Sequence, residues 1–301
     1  MESRMKILIV GNKGQLGSEL TECFARKKTE LGTPALLLEE NDVCGVDFDE
    51  LDISDSAAVK EYFRNKSFDC VINCAAYTDV NGCESHPDVA LKANALGPRN
   101  LAFACEETGA KLLHVSTDYV FSGEGTVPYT EFDRCDPKSV YGKSKLLGEE
   151  YVRQICPRSF IVRTAWLYGY RGKNFVKTIV RAARERGELS VVNDQRGNPT
   201  NAADLAHHII KLCESEEYGI YHATGAGECS WFDFASEIVA QFGVSAAVRP
   251  CTTEEYPTPA KRPAYSSLRN LMLECTVGDE FRDWKTALAA FAEHCLRENI
   301  V

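Results

Sequence analysis

Tyr141 and Lys145 stand four residues apart in the run Tyr141-Gly-Lys-Ser-Lys145, and the stretch Ser116-Thr117-Asp118-Tyr119 precedes them. Residues four apart share one face of a helix, so a phenol and an ammonium can enter the same cleft. An unperturbed phenol has a pKa of about 10, too high for easy proton exchange near neutrality. A lysine cation a few Å away favours phenolate and lowers that value. Such a pair suits carbonyl reduction: hydride arrives at carbon while Tyr141 gives a proton to oxygen. Lys145 would also hold the hydroxyls of a nicotinamide ribose. Thr117, at the end of an apolar run, can donate a hydrogen bond to the developing alkoxide. Alone, a Y-x-x-x-K spacing arises often by chance, so its weight depends on what accompanies it.

What accompanies it is a glycine turn, Gly11-Asn-Lys-Gly14-Gln15-Leu16-Gly17, directly after the apolar run 6–10 and directly before a helical pattern. Glycines in this spacing let backbone N–H groups approach a pyrophosphate, and the following helix points its positive end at that anion. Asp47, at the end of the expected second strand, is placed to accept hydrogen bonds from the adenosine ribose. That favours NAD, and no arginine adjoins Asp47 to receive a 2′-phosphate. Asp52-Ile53 is a second acid–apolar pair suited to hold the adenine. The cofactor expected is NADPH or NADH.

These groups need a scaffold. Segments 6–10, 44–47, 70–73, 111–116 and 159–164 read as strands, with helical periodicity over 15–28, 56–65, 89–108 and 137–154 between them. The stretch 32–42 reads as a loop. Near-continuous apolar strands alternating with helices predict an α/β fold, a doubly wound parallel sheet of Rossmann type. After residue 165 the rhythm changes. Helices are expected over 174–186, 202–214, 231–242 and 284–298, with short strands at 189–193 and 219–223 and a Pro/Thr/Ser-rich stretch over 251–268. Residues 1–165 thus read as the dinucleotide-binding domain, its sheet completed by later strands, and 166–301 as a smaller, interleaved substrate-binding lobe with a soft boundary.

The 301-residue chain carries a net charge of −10 and 44% hydrophobic residues, which supplies a sizeable core and disfavours nucleic acid or anionic lipid as partners. No apolar run approaches the roughly 18 residues of a membrane span, and the opening Met-Glu-Ser-Arg-Met leads straight into a strand, against export. The 13 cysteines include no C-x-x-C pair. Cys23, Cys70, Cys105 and Cys213 fall in apolar periodic segments and read as small core residues, so a reducing, cytoplasmic location is expected. His114, His207 and His208 have no acids at ligand spacing, and no metal is assigned. Trp231, Phe232 and Phe234 read as core packing rather than a stacking platform, and Lys177, Arg181 and Arg184 as a solvated helix face.

Taken in order, the glycine turn, LDIS, NCAAYTDV, STDYVFSG, YGKSK, RTAWLYG, NDQRGNPT and YPTPAKRP resemble the dTDP-4-dehydrorhamnose reductase family, over nearly the whole chain. That resemblance implies an extended short-chain dehydrogenase/reductase reducing the 4-keto group of a nucleotide-activated 6-deoxysugar with NADPH or NADH, the product being dTDP-L-rhamnose. It implies Thr117, Tyr141 and Lys145 as the catalytic set. Gly14, Gln15, Leu16, Asp47, Asp52, Ile53, Ala75, Ala76 and Tyr77 would touch the cofactor, Asp118 and Trp166 the deoxysugar, and Asn174 and Arg262 the nucleotide diphosphate. Two departures stand out. Asn81 replaces an aspartate common in the family. Of the acids that some members place around Mg²⁺ at a dimer contact, one matches Glu19 but another falls at Ala203, with Asp204 displaced by one. Magnesium is therefore not carried over, and a homodimer is left open. The rivals are a related sugar-nucleotide epimerase or dehydratase and a non-catalytic regulatory subunit similar to the β subunit of methionine adenosyltransferase. Dehydratases place Asp-Glu after the threonine, where this chain has Asp118-Tyr119.

Overall fold

The computed structural model describes residues 4–301. The first apolar run forms β1 (Lys6–Val10), buried from Ile7 onward. There follow α1 (Gln15–Arg26), α2 (Ala35–Leu38), β2 (Asp42–Val46), α3 (Ser56–Arg64), β3 (Cys70–Asn73), α4 (Val80–Ser85), α5 (Pro87–Leu91), α6 (Gly97–Thr108), β4 (Lys111–Thr117), α7 (Val140–Ile155) and β5 (Ser159–Thr164). The second half adds β6 (Leu167–Tyr168), α8 (Phe175–Arg186), β7 (Glu188–Val192), β8 (Arg196–Gly197), β9 (Thr200–Asn201), α9 (Ala202–Glu214), β10 (Gly219–His222), β11 (Cys229–Ser230), α10 (Trp231–Gln241), β12 (Ala247–Cys251), α11 (Leu271–Cys275) and α12 (Trp284–Arg297).

Six strands form one parallel sheet in the order β10-β5-β4-β3-β1-β2. Because strand residues alternate between faces, β1 sends Ile7 and Ile9 into one core and Leu8 and Val10 into the other. The first core is closed by Leu20 and Phe24 of α1 and by Leu205 and Ile209 of α9. The second is closed by Val59 and Phe63 of α3, Leu101 of α6 and Val152 of α7. A third core, built on Tyr168, Val180, Phe234, Trp284 and Phe291, packs elements of the second half of the chain together. There β7 pairs in parallel with β12. From the second half of the chain, β10 pairs with β5 at the sheet edge and α9 completes the layer over one face.

Several boundaries differ from expectation for identifiable reasons. The expected loop over 32–42 contains α2, whose Leu36 and Leu37 are buried in the first core, and β2 starts at Asp42. The expected helix over 89–108 starts at Pro87 and passes through a π-helical turn, Lys92–Leu96. Pro98 has no N–H for the Asn94 carbonyl, which loosens the helical ladder at that point. α7 begins at Val140, where the Ser139 hydroxyl accepts the Gly142 N–H at 3.1 Å as an N-cap. Helices α4 and α11 and strand β12, too short to carry a periodic signal, were not anticipated.

At the β1–α1 turn, Gly11 has φ +79°, and a Cβ on Gly17 would intrude on the Gly11 carbonyl oxygen. Gly17→Ala should therefore push α1 off the loop, destabilising the protein by about 1–3 kcal/mol. The shift in urea midpoint measures this.

Candidate active site

Strand order reverses between β1 and β3, and sheets of this kind hold ligands beyond the strand ends at such a point. Two adjoining cavities lie there. One, of about 560 Å³, is lined by Gln15, Leu16, Gly17, Thr117, Asp118, Tyr141, Lys145, Trp166, Asn174 and Arg262. The other, of about 510 Å³, is lined by Asp47, Asp52, Ile53, Ala75 and Tyr77. Gly11, Gly14 and Ala76 line both, making one trough across the switch point. Every site residue expected from the sequence thus faces this trough.

Thr117 ends β4, and α7 packs along that strand, bringing Tyr141 and Lys145 to its end. Lys145, 2% exposed, donates to the Val115 carbonyl at 2.7 Å. Burial lowers its pKa to about 8, with Glu149 acting in the opposite sense. The Thr117 hydroxyl donates to the Asp118 carboxylate at 2.9 Å. Burial raises the Tyr141 phenol above its ordinary value, partly offset by a hydrogen bond with Thr117. This corrects the expectation that Lys145 lowers the phenol: the ammonium is committed to a backbone carbonyl, and desolvation dominates. A phenol raised in this way is still a stronger acid than the alcohol formed by ketone reduction, so it can protonate an alkoxide. The pH dependence then belongs to Lys145. A lowered lysine pKa means that the cation is present below about pH 8 and lost above it. kcat/KM, which reports free-enzyme ionisations, should fall as pH rises through about 8; a profile flat to about pH 10 would contradict this.

Asp118 is buried, which raises its carboxyl to about 6, partly offset by the hydrogen bond it accepts from Thr117 Oγ1, and its Oδ2 has no protein partner. The next position is Tyr119, whose hydroxyl accepts from Arg262 Nη1 at 2.9 Å; no second acid stands there. Arg262 Nη2 also reaches Asn81 Oδ1 at 3.4 Å. Asn174 caps α8 by accepting the Lys177 N–H at 3.0 Å, and its amide donates to Gly169 O and to Gln15 Oε1. Its polar atoms thus hold the cleft wall together.

Trp166 has φ +47°, a left-handed conformation uncommon for a non-glycine residue. Its indole stacks on Trp231 with centroids 3.5 Å apart, and Gly197 lies beneath it with no room for a Cβ. Trp231 packs against the third core beside Phe175 and Phe234, as the core-packing reading expects, and it reaches the cleft as well. It opens α10 and lines the cleft, while Phe234 is the buried residue of that group.

At the other end of the trough, Asp47 Oδ2 accepts the Lys13 N–H at 3.0 Å. No arginine adjoins Asp47 in sequence, but the fold supplies a lysine beside it. Phe48, Val89 and Lys92 also line this cavity and were not anticipated. Nor was Asn94, buried in the π-helical turn. It accepts the Tyr77 N–H at 2.8 Å and donates to Tyr77 O and Ser144 Oγ, which fixes the loop after β3 to the helix of Tyr141 and Lys145. A polar residue before Gly-Pro inside a helix is the one sequence signal for it.

Among the described residues, no three His, Cys, Asp or Glu side chains cluster as a metal site. Asp204, displaced from the family's magnesium set, has its carboxylate bound by Arg282, which also donates to Glu30 at 2.8 Å. Asp204, held by Arg282, is therefore not free to ligate a cation.

The parallel sheet, the glycine turn at its switch point and the Thr–Tyr–Lys set at the strand ends define a dinucleotide-binding α/β protein of the short-chain reductase type. A family model described as RmlD substrate binding domain matches residues 5–297. The chain is 41% identical over 288 residues to the spore coat polysaccharide biosynthesis protein SpsK of Bacillus subtilis, covering 96% of this chain and 97% of that protein. It is 40% identical over 291 residues to dTDP-4-dehydrorhamnose reductase of Mycobacterium tuberculosis, covering 94% and 91%. Among solved structures, a dTDP-4-dehydrorhamnose reductase from Bacillus anthracis in complex with NADP superposes with TM-score 0.90 at 40% identity, covering 97% of this chain and all of that one. The chain belongs to the RmlD substrate-binding-domain family.

Proposed function

We propose that this protein is an oxidoreductase that reduces the 4-keto group of dTDP-4-dehydrorhamnose to give dTDP-L-rhamnose, with NADPH or NADH as hydride donor. One observation carries the reading: Thr117, Tyr141 and Lys145 meet in a cavity continuous with the glycine turn, in a chain 40% identical to a named reductase. Residues 1–165, completed by β10 and α9, bind the dinucleotide, and the lobe within 166–301 binds the nucleotide sugar, with Trp166, Arg262 and Asp118 facing it. The dinucleotide supplies hydride when bound. Tyr141 protonates the carbonyl oxygen, Thr117 orients the phenol, Lys145 holds the ribose hydroxyls, and the lobe excludes water from the transfer. Tyr119 in place of a second acid favours reduction over elimination.

On this reading the partners are small molecules rather than nucleic acid or membrane, and a homodimer is compatible with it. Among the described residues no helix is long and apolar enough to cross a membrane. The 13 free thiols accord with the reducing cytoplasm. The test is oxidation of NADH or NADPH by a dTDP-4-keto-6-deoxysugar. Turnover that needs Tyr141 supports the reading; cofactor binding without turnover would favour a regulatory subunit.

A further inference from the structure

We infer that the carboxylates following β2, by holding Lys13 in their own ion pairs, make this site select NADH over NADPH. The inference rests on the reductase reading and names the donor that reading leaves open.

Lys13 lies between Gly11 and Gly14, and its backbone N–H donates to Asp47 Oδ2 at 3.0 Å. Its side chain therefore starts beside the carboxylate placed to hold the adenosine ribose hydroxyls. From there Lys13 Nζ turns to Glu50 Oε1 at 3.0 Å and Asp49 Oδ2 at 3.4 Å. Glu50 is itself fixed: its Oε2 accepts the Asp47 N–H at 2.9 Å, and its own N–H donates to the Asp47 carbonyl at 2.9 Å. The turn thus sets three carboxylates against one ammonium. The lysine that lines this cavity, Lys92, comes from the π-helical turn and not from the β2 side, and no arginine lines it; Lys13 lies at its edge, bonded through its backbone to the lining residue Asp47.

The two dinucleotides differ only at the ribose 2′ position. A hydroxyl there can donate to Asp47. A phosphate brings a charge of about −1.5 to −2 among three like charges, and it gains Lys13 only if Glu50 and Asp49 release it. These groups are solvent-exposed, so the discrimination is moderate and screened by salt.

Fluorescence titration of the full chain with NADH and with NADPH, without sugar and at low salt, tests this. NADH should bind about tenfold more tightly or better, with the ratio shrinking as salt is raised. The double variant Asp49→Asn with Glu50→Gln keeps a carbonyl acceptor for the Asp47 N–H and should shift the ratio toward NADPH by about tenfold. Adding Lys13→Ala should remove that gain. NADPH binding as tightly as NADH in the unaltered protein overturns the inference whether or not the variants fold, as does a double variant whose ratio does not move. Binding of neither dinucleotide overturns the reductase reading itself.

Discussion

Tyr141→Phe should lower turnover by about 10²–10⁴-fold while leaving dinucleotide affinity nearly unchanged. The change deletes one oxygen and keeps the ring, which packs edge-on against Tyr119 with centroids 5.4 Å apart. Lys145 keeps its bond to the Val115 carbonyl, and Thr117 keeps its bond to Asp118, so the cavity retains its shape and its cation. Only the proton donor goes. Single-turnover loss of NAD(P)H absorbance, set beside a fluorescence titration, separates the two quantities. A variant within about tenfold of the unaltered protein would remove Tyr141 as the acid. Asp118 would then be the candidate: a buried carboxyl raised to about 6 with one oxygen free of protein partners.

The parts of this site legible in the sequence are those whose geometry is local. Gly11 to Gly17 fall within one turn and the start of a helix, and Tyr141 and Lys145 within one helical turn, so spacing alone sets their relation. The parallel sheet was legible because each of its central strands is a nearly unbroken apolar run. What was not legible depends on pairing between distant segments. Lys13 meets Asp47 across 34 residues because β1 and β2 pair in parallel, with Val10 opposite Val46. Trp231 meets Trp166 because α10 packs beside the loop after β5. Periodicity identified the apolar face of α10 and placed Trp231 on it, but spacing within the helix does not reveal that the indole also reaches Trp166. The direction of the Tyr141 shift was misjudged for a related reason. Sequence spacing brings the ammonium near the phenol, but only the fold reveals how deeply both are buried and that the ammonium donates to the Val115 carbonyl.

Arg163→Ala should destabilise the protein by about 3–5 kcal/mol, the cost of leaving one partner of a buried ion pair uncompensated. Arg163 on β5 and Glu149 on α7 are 3% and 2% exposed, with Nη2 and Oε2 2.7 Å apart and Nε donating to both carboxylate oxygens. Burial opposes the guanidinium charge, but the carboxylate outweighs it, so the arginine stands above its ordinary pKa. The loss would reach the active site. Glu149 also accepts the Ser116 hydroxyl at 2.5 Å, one residue before Thr117, and it lies one helical turn beyond Lys145. The pair therefore ties the end of β4, the middle of α7 and β5 into one unit beneath the reacting groups. Removing both charges, as Arg163→Met with Glu149→Met, should recover much of the stability, because no unpaired charge remains in the interior. It should not recover full turnover, because Ser116 loses its anchor. Urea midpoints and kcat measured on the single and double variants separate the two effects. A double variant as unstable as Arg163→Ala alone would mean that packing around the guanidinium, rather than its charge, holds these elements together.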